Sequence, residues 1–363
     1  MQVYRSRNLA FNRLARGELR NPDASRVPGA DLGIAEKSLF GYLTFRLREM
    51  EQTMKVVIVG KFSETTKRLI LSKFPHDWKV VIVTSEELHR EVNDAEVIIP
   101  EHQIIDGPLL SRAKYLKLVQ TGAGYDNVMI DECTKRGIYV ANAAGINALA
   151  VAEHVFALIL CWYKNMIYLD GIMKRGQYGV DYAGSELSGK VIGIVGLGNI
   201  GREVARLAQA FTMNVLGYHR RPIDTELEIE FTDFETLLKS SDIVTLHIPL
   251  NEGTRRLIGQ RELTLMKEDA FLINTSRGTV VDEAALIEAL QSKKIGGAGL
   301  DVFETEPLPK DSPLRKLNNV ILTPHTAGSP DGLKFHHKRF EFFMENIRRV
   351  SQGKPPINAL NKI

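Results

Sequence analysis

The stretch Val191-Ile-Gly-Ile-Val-Gly-Leu-Gly-Asn-Ile-Gly201 decides how the chain is to be read. An apolar, strand-prone run passes into Gly196, Gly198 and Gly201, and a helical pattern from Arg202 to Phe211 follows. Strand, glycine turn and helix in that order are the context in which G-x-G-x-x-G holds a dinucleotide; the glycines alone would be a weak signal. Gly196 permits the tight turn, Gly198 lets the backbone approach a pyrophosphate, and Gly201 allows close helix–strand packing. Amides near Asn199 and Ile200 would then face the phosphates at the positive end of the helix.

The same grammar repeats on both sides. Strands are expected at Lys55–Val59, Lys79–Val83, Glu96–Ile99, Leu116–Gln120 and Ile138–Ala141, followed by a long helix from Asn147 to Tyr168. After it come Val191–Val195, Val215–Tyr218, Ile243–His247, Ala270–Asn274, Gly299–Val302 and Val320–Leu322, then a last helix from Gly332 to Ser351 closed by Pro355-Pro356. Unbroken Val/Ile runs mean burial on both faces, the mark of parallel sheets. Strands alternating with helices imply βαβ units, hence an α/β chain of two doubly wound domains. A length of 363 residues suffices for two cores.

Residues 1–53 do not share this pattern. Their scattered arginines suit a transit peptide, but Glu18, Asp23, Asp31 and Glu36 spoil an acid-poor presequence. The segment reads as a poorly ordered extension, apart from a helix around Ser38 to Gln52, with Met50 or Met54 as the functional start.

Composition narrows the function classes. With 47 basic and 44 acidic residues the net charge is +3, so nothing calls for nucleic acid as a partner. Cys133 and Cys161 lack CxxC spacing, which argues against a disulfide framework and fits a reducing, cytoplasmic setting. No apolar run reaches the roughly 18 residues of a membrane span, and Ala148–Trp162 is interrupted by Glu153 and His154. No metal site is singled out.

The strand after the glycine turn ends in Tyr218-His219-Arg220-Arg221-Pro222, with no carboxylate before Asp224. A carboxylate there would accept from the ribose hydroxyls of NAD, whereas guanidiniums suit a 2′-phosphate by charge and fork geometry. NADPH is therefore favoured, with NADH possible; the bland alternative is a pair of solvated strand-end charges.

Three further strand ends carry candidate chemistry: Arg277 after Ile273-Asn-Thr-Ser, Glu306 after Asp301-Val-Phe-Glu-Thr, and His325 after Leu322-Thr-Pro. Ligands of open α/β sheets sit at the carboxyl ends of strands, so the three can converge. Singly, each has an ordinary structural explanation; together, after a dinucleotide motif, they read as a carbonyl-reduction site.

On these residues the chain resembles the D-2-hydroxyacid dehydrogenase family from about Met54 to its end. The shared stretches are Gly122-Ala-Gly-Tyr-Asp-Asn127, Asn147 with Val151-Ala-Glu-His154, Gly196 to Gly201, Leu246-His-Ile-Pro-Leu250, Ile273 to Gly278, Asp301 to Pro307, and Pro324-His325. The resemblance implies two Rossmann-like domains with a discontinuous substrate domain, residues 54–148 plus 326–363, around a cofactor domain of residues 149–325. It implies that Arg277, Glu306 and His325 are catalytic, and that Ala123, Gly124 and Asn147 bind the substrate. His219, Arg220, Arg221, Pro249, Thr254, Thr275 and Asp301 join the glycine turn around the cofactor, Asp301 facing the nicotinamide carboxamide and Pro249 the adenine. It also implies a homodimer through the Asn147 helix region and a small 2-keto or 2-hydroxy acid as substrate. The glyoxylate/hydroxypyruvate reductase branch suits the Arg-Arg signal best.

Departures and rivals remain. The run Lys334, His336, His337, Lys338 and Arg339 is unusual at the last helix's start and reads as a solvated face, the alternative being a cleft wall for a larger or more anionic acid. A formate dehydrogenase would carry Gln in place of Glu306. A dinucleotide-sensing corepressor of the same fold can keep the whole triad, although residues 1–53 offer no nuclear-type basic cluster. No regulatory domain follows residue 363, which argues against the long form of phosphoglycerate dehydrogenase. Pocket shape is expected to depend on loops 101–103 and 326–336.

Overall fold

The computed structural model describes residues 54–101, 103–179, 184–221, 224–328 and 332–363. The extension, with its expected order, helix and start, lies outside the described residues, as do Pro222 and residues 329–331 of the loop beyond His325.

The two Lys-Val-Val-Ile-Val runs become β1 (Lys55–Val59) and β2 (Lys79–Val83), in register residue for residue. With β3 (Val97–Ile99), β4 (Leu118–Gln120) and β5 (Tyr139–Ala141) they form a parallel sheet in the order β2-β1-β3-β4-β5. Alternation along β1 shows why this sequence makes a two-faced sheet. Val56 and Ile58 enter one core with Ile70, Phe74, Phe340 and Phe343, while Val57 and Val59 enter another with Leu88, Ile105 and Leu109. Each fully buried Val or Ile is worth about 1.5–3 kcal/mol, so two-sided burial fixes the strand's position.

The second sheet holds β6 (Val191–Val195), β7 (Asn214–Tyr218), β8 (Glu230–Phe231), β9 (Ile243–Leu246), β10 (Phe271–Asn274), β11 (Gly297–Leu300) and β12 (Val320–Leu322). All are parallel, ordered β12-β11-β10-β9-β6-β7-β8. Strand order reverses between β6 and β9 here, and between β1 and β3 in the first sheet. Such reversal points open crevices at the strands' carboxyl ends.

The chain passes between sheets twice, through residues 142–147 and again beyond β12. The helix Ala148–Tyr163 packs Val155, Phe156 and Ile159 on the second sheet with Val204 and Ala208. The helix Leu333–Ser351 returns to the first sheet, where buried Asn346 donates to Gln120 Oε1 at 2.7 Å and accepts from Ile357 N at 2.7 Å. These bonds satisfy polar groups that burial would otherwise penalise, and they clamp the last helix onto β4.

Several expected boundaries shift. The helix expected over 147–168 ends at Tyr163, and a second runs from Met166 to Lys174 at 60° to it. Asn165 sits between them in the left-handed region, φ 52°, a conformation Asn tolerates better than most residues. The strand expected at Gly299–Val302 begins two residues earlier, and the helix expected from Arg202 begins at Asn199. The short edge strand β8 carried no apolar signal. Among the described residues no single helix is long and apolar enough to cross a membrane.

Candidate active site

The glycine turn behaves as its spacing demands. Gly196 has φ 98°, and a Cβ there would lie 2.5 Å from the His247 carbonyl oxygen. A Cβ on Gly201 would come within 3.1 Å of the Gly196 carbonyl carbon, so only glycine lets the helix Asn199–Ala210 sit against β6. Around Gly198 there is open space, and no side chain caps this helix. Ser63, Asp106, Asp233 and Asp282 cap the helices that follow them, whereas this helix, like those at Ala148 and Met166, starts without a side-chain cap. The first-turn amides at Asn199, Ile200 and Gly201 are thus left for an anion at the helix's positive end. The Thr275 hydroxyl is buried in the same cleft with no hydrogen-bond partner among the described residues. Open room at Gly198, an uncapped helix start and this orphaned hydroxyl together fit a dinucleotide.

Arg277, Glu306 and His325 do converge, in a cleft of about 590 Å³ that runs between the two sheets. Nδ1 of His325 lies 2.7 Å from Glu306 Oε2, and Glu306 Oε1 accepts from the Phe303 amide at 3.0 Å. The Glu306 hydrogen bond raises the His325 pKa, its charge adds to the effect, and partial burial works against it. Burial pushes the Glu306 carboxyl up, but the bonds from His325 and Phe303 outweigh it and hold the pKa down. A second histidine in the cleft, His247, is driven the opposite way. Burial lowers its pKa to about 3, its Nε2 pairs with Thr245 Oγ1 at 2.9 Å, and its Nδ1 has no partner among the described residues. Environment therefore separates the two imidazoles, leaving His325 as the one able to carry a proton near neutral pH.

Asp301 anchors the loop that bears His325. Its Oδ1 accepts from Thr323 Oγ1 at 2.6 Å and from the Thr326 amide at 2.9 Å, and its Oδ2 accepts from the Ala327 amide at 2.9 Å. His154 Nε2 lies 3.0 Å from the same Thr323 hydroxyl. Asp301 lines the cleft as expected, yet these bonds give it a framework task that sequence reasoning did not assign.

Across the cleft stands the Gly122–Asn127 loop. Ala123 and Gly124 donate no backbone hydrogen bond among the described residues, which leaves their amides for an anion. Arg277 reaches over from the other sheet: its Nε donates to Asp126 Oδ1 at 2.9 Å and its Nη1 to the Ser276 carbonyl at 2.8 Å. Burial raises the Asp126 pKa, but the Arg277 bond and charge outweigh it and lower it overall. Asp126 was quoted only within a motif; a partner 151 positions away leaves no local sequence signal. A Cβ on Gly124 would fall 3.0 Å from Arg277 Cζ, so the glycine is what admits the guanidinium. Asn147 lines the same wall, its Nδ2 3.5 Å from the Gly328 carbonyl and its Oδ1 buried without a partner among the described residues.

The remaining candidates divide. Ile200 and Pro249 line the cleft. Asn199 lines no cleft wall with its side chain, which instead packs on the crossing segment: a Cβ on Gly145 would lie 2.7 Å from Asn199 Nδ2. Thr254 is buried, and its hydroxyl is engaged within its own loop by Pro249 O at 2.7 Å and the Asn251 amide at 2.8 Å. Arg220 lies against Gly253, where a Cβ would be 2.6 Å from Nη2. His219 Nδ1 lies 2.9 Å from the Arg221 carbonyl oxygen, and both arginines are exposed. Among the described residues neither arginine meets a carboxylate within ion-pair distance. The basic run on the last helix is corrected in one respect: Lys334, His337 and Lys338 are exposed, but Arg339 is only 8% exposed and lines the cleft. It pairs with Glu101, which sequence reasoning also missed. Among the described residues no group of His, Cys, Asp or Glu is arranged to hold a metal ion.

Residues 156–327 match the profile described as D-isomer specific 2-hydroxyacid dehydrogenase, NAD binding domain. A glyoxylate reductase from Thermococcus litoralis is 42% identical over 288 residues, 75% of this chain and 85% of that one. One from Korarchaeum cryptofilum is 41% identical over 267 residues, 71% of this chain and 80% of the relative. Among solved structures, an acyclic imino acid reductase in complex with NADPH and D-Arg superposes with a TM-score of 0.76 at 32% identity, covering 85% of this chain and all of that one.

Proposed function

Since the chain belongs to the D-isomer specific 2-hydroxyacid dehydrogenases, oxidoreductases that use a nicotinamide dinucleotide, we propose that it reduces glyoxylate or hydroxypyruvate and prefers NADPH to NADH. The observation that carries this reading is the meeting, in one cleft, of the His325–Glu306 pair, Arg277 and the free amides of Ala123 and Gly124. The dinucleotide, when bound, supplies the hydride. Everything else falls to groups of this chain. Ala123 and Gly124 amides and the Arg277 guanidinium hold the substrate carboxylate and keto oxygen, fixing the keto carbon. For that grip Arg277 shares its donors between Asp126 and the substrate. His325, its pKa raised by Glu306, gives its proton to the keto oxygen as negative charge develops there. Residues 54–148 with 326–363 would be the substrate domain, and 149–325 the cofactor domain.

The NADPH preference rests on Arg220 and Arg221, exposed at the end of β7 and unneutralised where a carboxylate would favour NAD. A homodimer is part of the same proposal. Leu149, Met166, Ile167, Tyr168 and Met173 are exposed along the helices Ala148–Tyr163 and Met166–Lys174, and apolar surface of this extent suits an interface. Light scattering on the purified chain reads the dimer directly. Steady oxidation of NADPH with glyoxylate or hydroxypyruvate, lost by about 10²–10⁴-fold in His325→Ala, is the expected result. No turnover with either acid and either dinucleotide, or undiminished turnover in His325→Ala, would refute the reading.

A further inference from the structure

We propose that Glu101 and Arg339 form a substrate-selecting wall of the cleft, built for a 2-keto acid that carries a hydroxyl on the carbon beyond the keto carbon. The inference rests on the dehydrogenase reading above and specifies the substrate class of the same site.

Glu101 follows β3 and Gly60 follows β1, so the two flank the point where strand order reverses in the first sheet. That is where the crevice of such a sheet takes its ligand. A Cβ on Gly60 would lie 3.0 Å from Glu101 Cγ and 2.9 Å from the Phe62 ring, so the Glu101 stem is wedged against the β1 turn. Arg339 comes to meet it from the last helix, and both line the cleft that also holds Arg277 and His325.

Arg339 is ringed by Phe335, Phe340 and Phe343, with ring centroids 5.9, 5.4 and 5.2 Å from its Cζ. An apolar side chain would fill this space without taking two charges out of water, a replacement that is often neutral or stabilising. Packing therefore gives no reason for the pair. Nor is it saturated: Glu101 meets one terminal nitrogen of Arg339, while Nε is buried with no partner among the described residues. Burial brings the Arg339 pKa down to about 10, which leaves it charged at neutral pH.

Chemistry then picks the substituent. A hydroxyl donates one hydrogen bond and accepts others, so it can give to Glu101 and receive from Arg339 at once. Hydrogen or methyl engages neither group. A carboxylate suits Arg339 but is repelled by Glu101.

The test compares kcat/KM for hydroxypyruvate, pyruvate, glyoxylate and oxaloacetate in the wild-type full chain, Arg339→Met and Glu101→Gln. The wild type is expected to prefer hydroxypyruvate over pyruvate. Arg339→Met should reduce that ratio about 10- to 100-fold, the range of a hydrogen bond to a charged group. Glu101→Gln, which keeps the size of the side chain, should raise the oxaloacetate-to-hydroxypyruvate ratio at least about 10-fold by removing the repulsive charge. Thermal melts report folding; if Arg339→Met does not fold, Glu101→Gln decides alone. Ratios that stay within about threefold while all four substrates fall together would make the pair structural and overturn the proposal. So would a wild type that turns over glyoxylate with no preference for the hydroxyl-bearing acid, and the dehydrogenase reading would then still stand. No turnover of any of the four overturns that reading and this one with it.

Discussion

Replacing Gly124 with alanine separates the geometry of the substrate grip from its chemistry. The backbone of Gly124 is not in the left-handed region, so alanine brings no conformational penalty of its own. Its methyl carbon, however, would fall 3.0 Å from Arg277 Cζ and 3.2 Å from Asp126 Oδ1, and nearer still to a terminal nitrogen of Arg277. Comfortable contact needs about 3.5–4.0 Å, so the guanidinium must retreat by on the order of 1 Å. Because the obstacle is the end of a flexible side chain in a half-exposed loop, stability should move by no more than about 0.5 kcal/mol. Catalysis should respond far more, since a misplacement of about 1 Å in a positioning group costs roughly 10²-fold. Steady-state kcat/KM for glyoxylate with NADPH, alongside a thermal melt, reads both quantities. Activity within threefold of wild type at unchanged melting temperature would refute the claim that Gly124 exists to admit Arg277.

Three further perturbations test other parts of the site. Glu306 raises the His325 pKa, and the proposed reduction uses the protonated imidazole, so activity should be present at low pH and lost as pH rises through that pKa. Glu306→Gln should therefore shift the alkaline limb of the reduction profile to lower pH, and an unmoved limb would deny Glu306 its part. Arg220→Ala with Arg221→Ala should raise the NADPH KM about 10- to 100-fold and leave the NADH KM within about threefold; equal changes would show that these arginines do not read a 2′-phosphate. Gly201→Ala should lift the helix Asn199–Ala210 off β6, because its methyl carbon meets backbone at 3.1 Å. A loss of about 1–3 kcal/mol and weaker dinucleotide binding by fluorescence titration are expected, and a wild-type melt would contradict that packing.

Most of the fold could be read from the sequence because its decisive signals are local. The Lys-Val-Val-Ile-Val runs and the glycine turn each carry their meaning within a dozen residues. The convergence of Arg277, Glu306 and His325 was legible for a related reason: all three follow strands of one sheet, whose ends share an edge. What escaped depends on distance or on a broken period. Asp126 meets Arg277 across 151 positions, and Asn165 interrupts a helix whose apolar pattern continues through it. Arg339 was read as solvated because it sits in a basic run. A helical period would have shown otherwise, since Phe335 and Phe343 lie four residues to either side and put it on the buried stripe. Thr254, assigned to the cofactor by resemblance, turned out to spend its hydroxyl on its own loop, a local detail no motif encodes.

His325 sits in the left-handed region, φ 53°, where a side chain costs roughly 1–2 kcal/mol that glycine would not. The Asp301 carboxylate holds the two amides that follow it and keeps the histidine in that posture. With His325 as the proton donor proposed above, the residue best for the fold and the residue best for the reaction are different amino acids at this position. Selection for thermal robustness alone would drift toward glycine and silence the protein while strengthening it, and a stabilised variant found by melting temperature needs its turnover checked before its stability is admired.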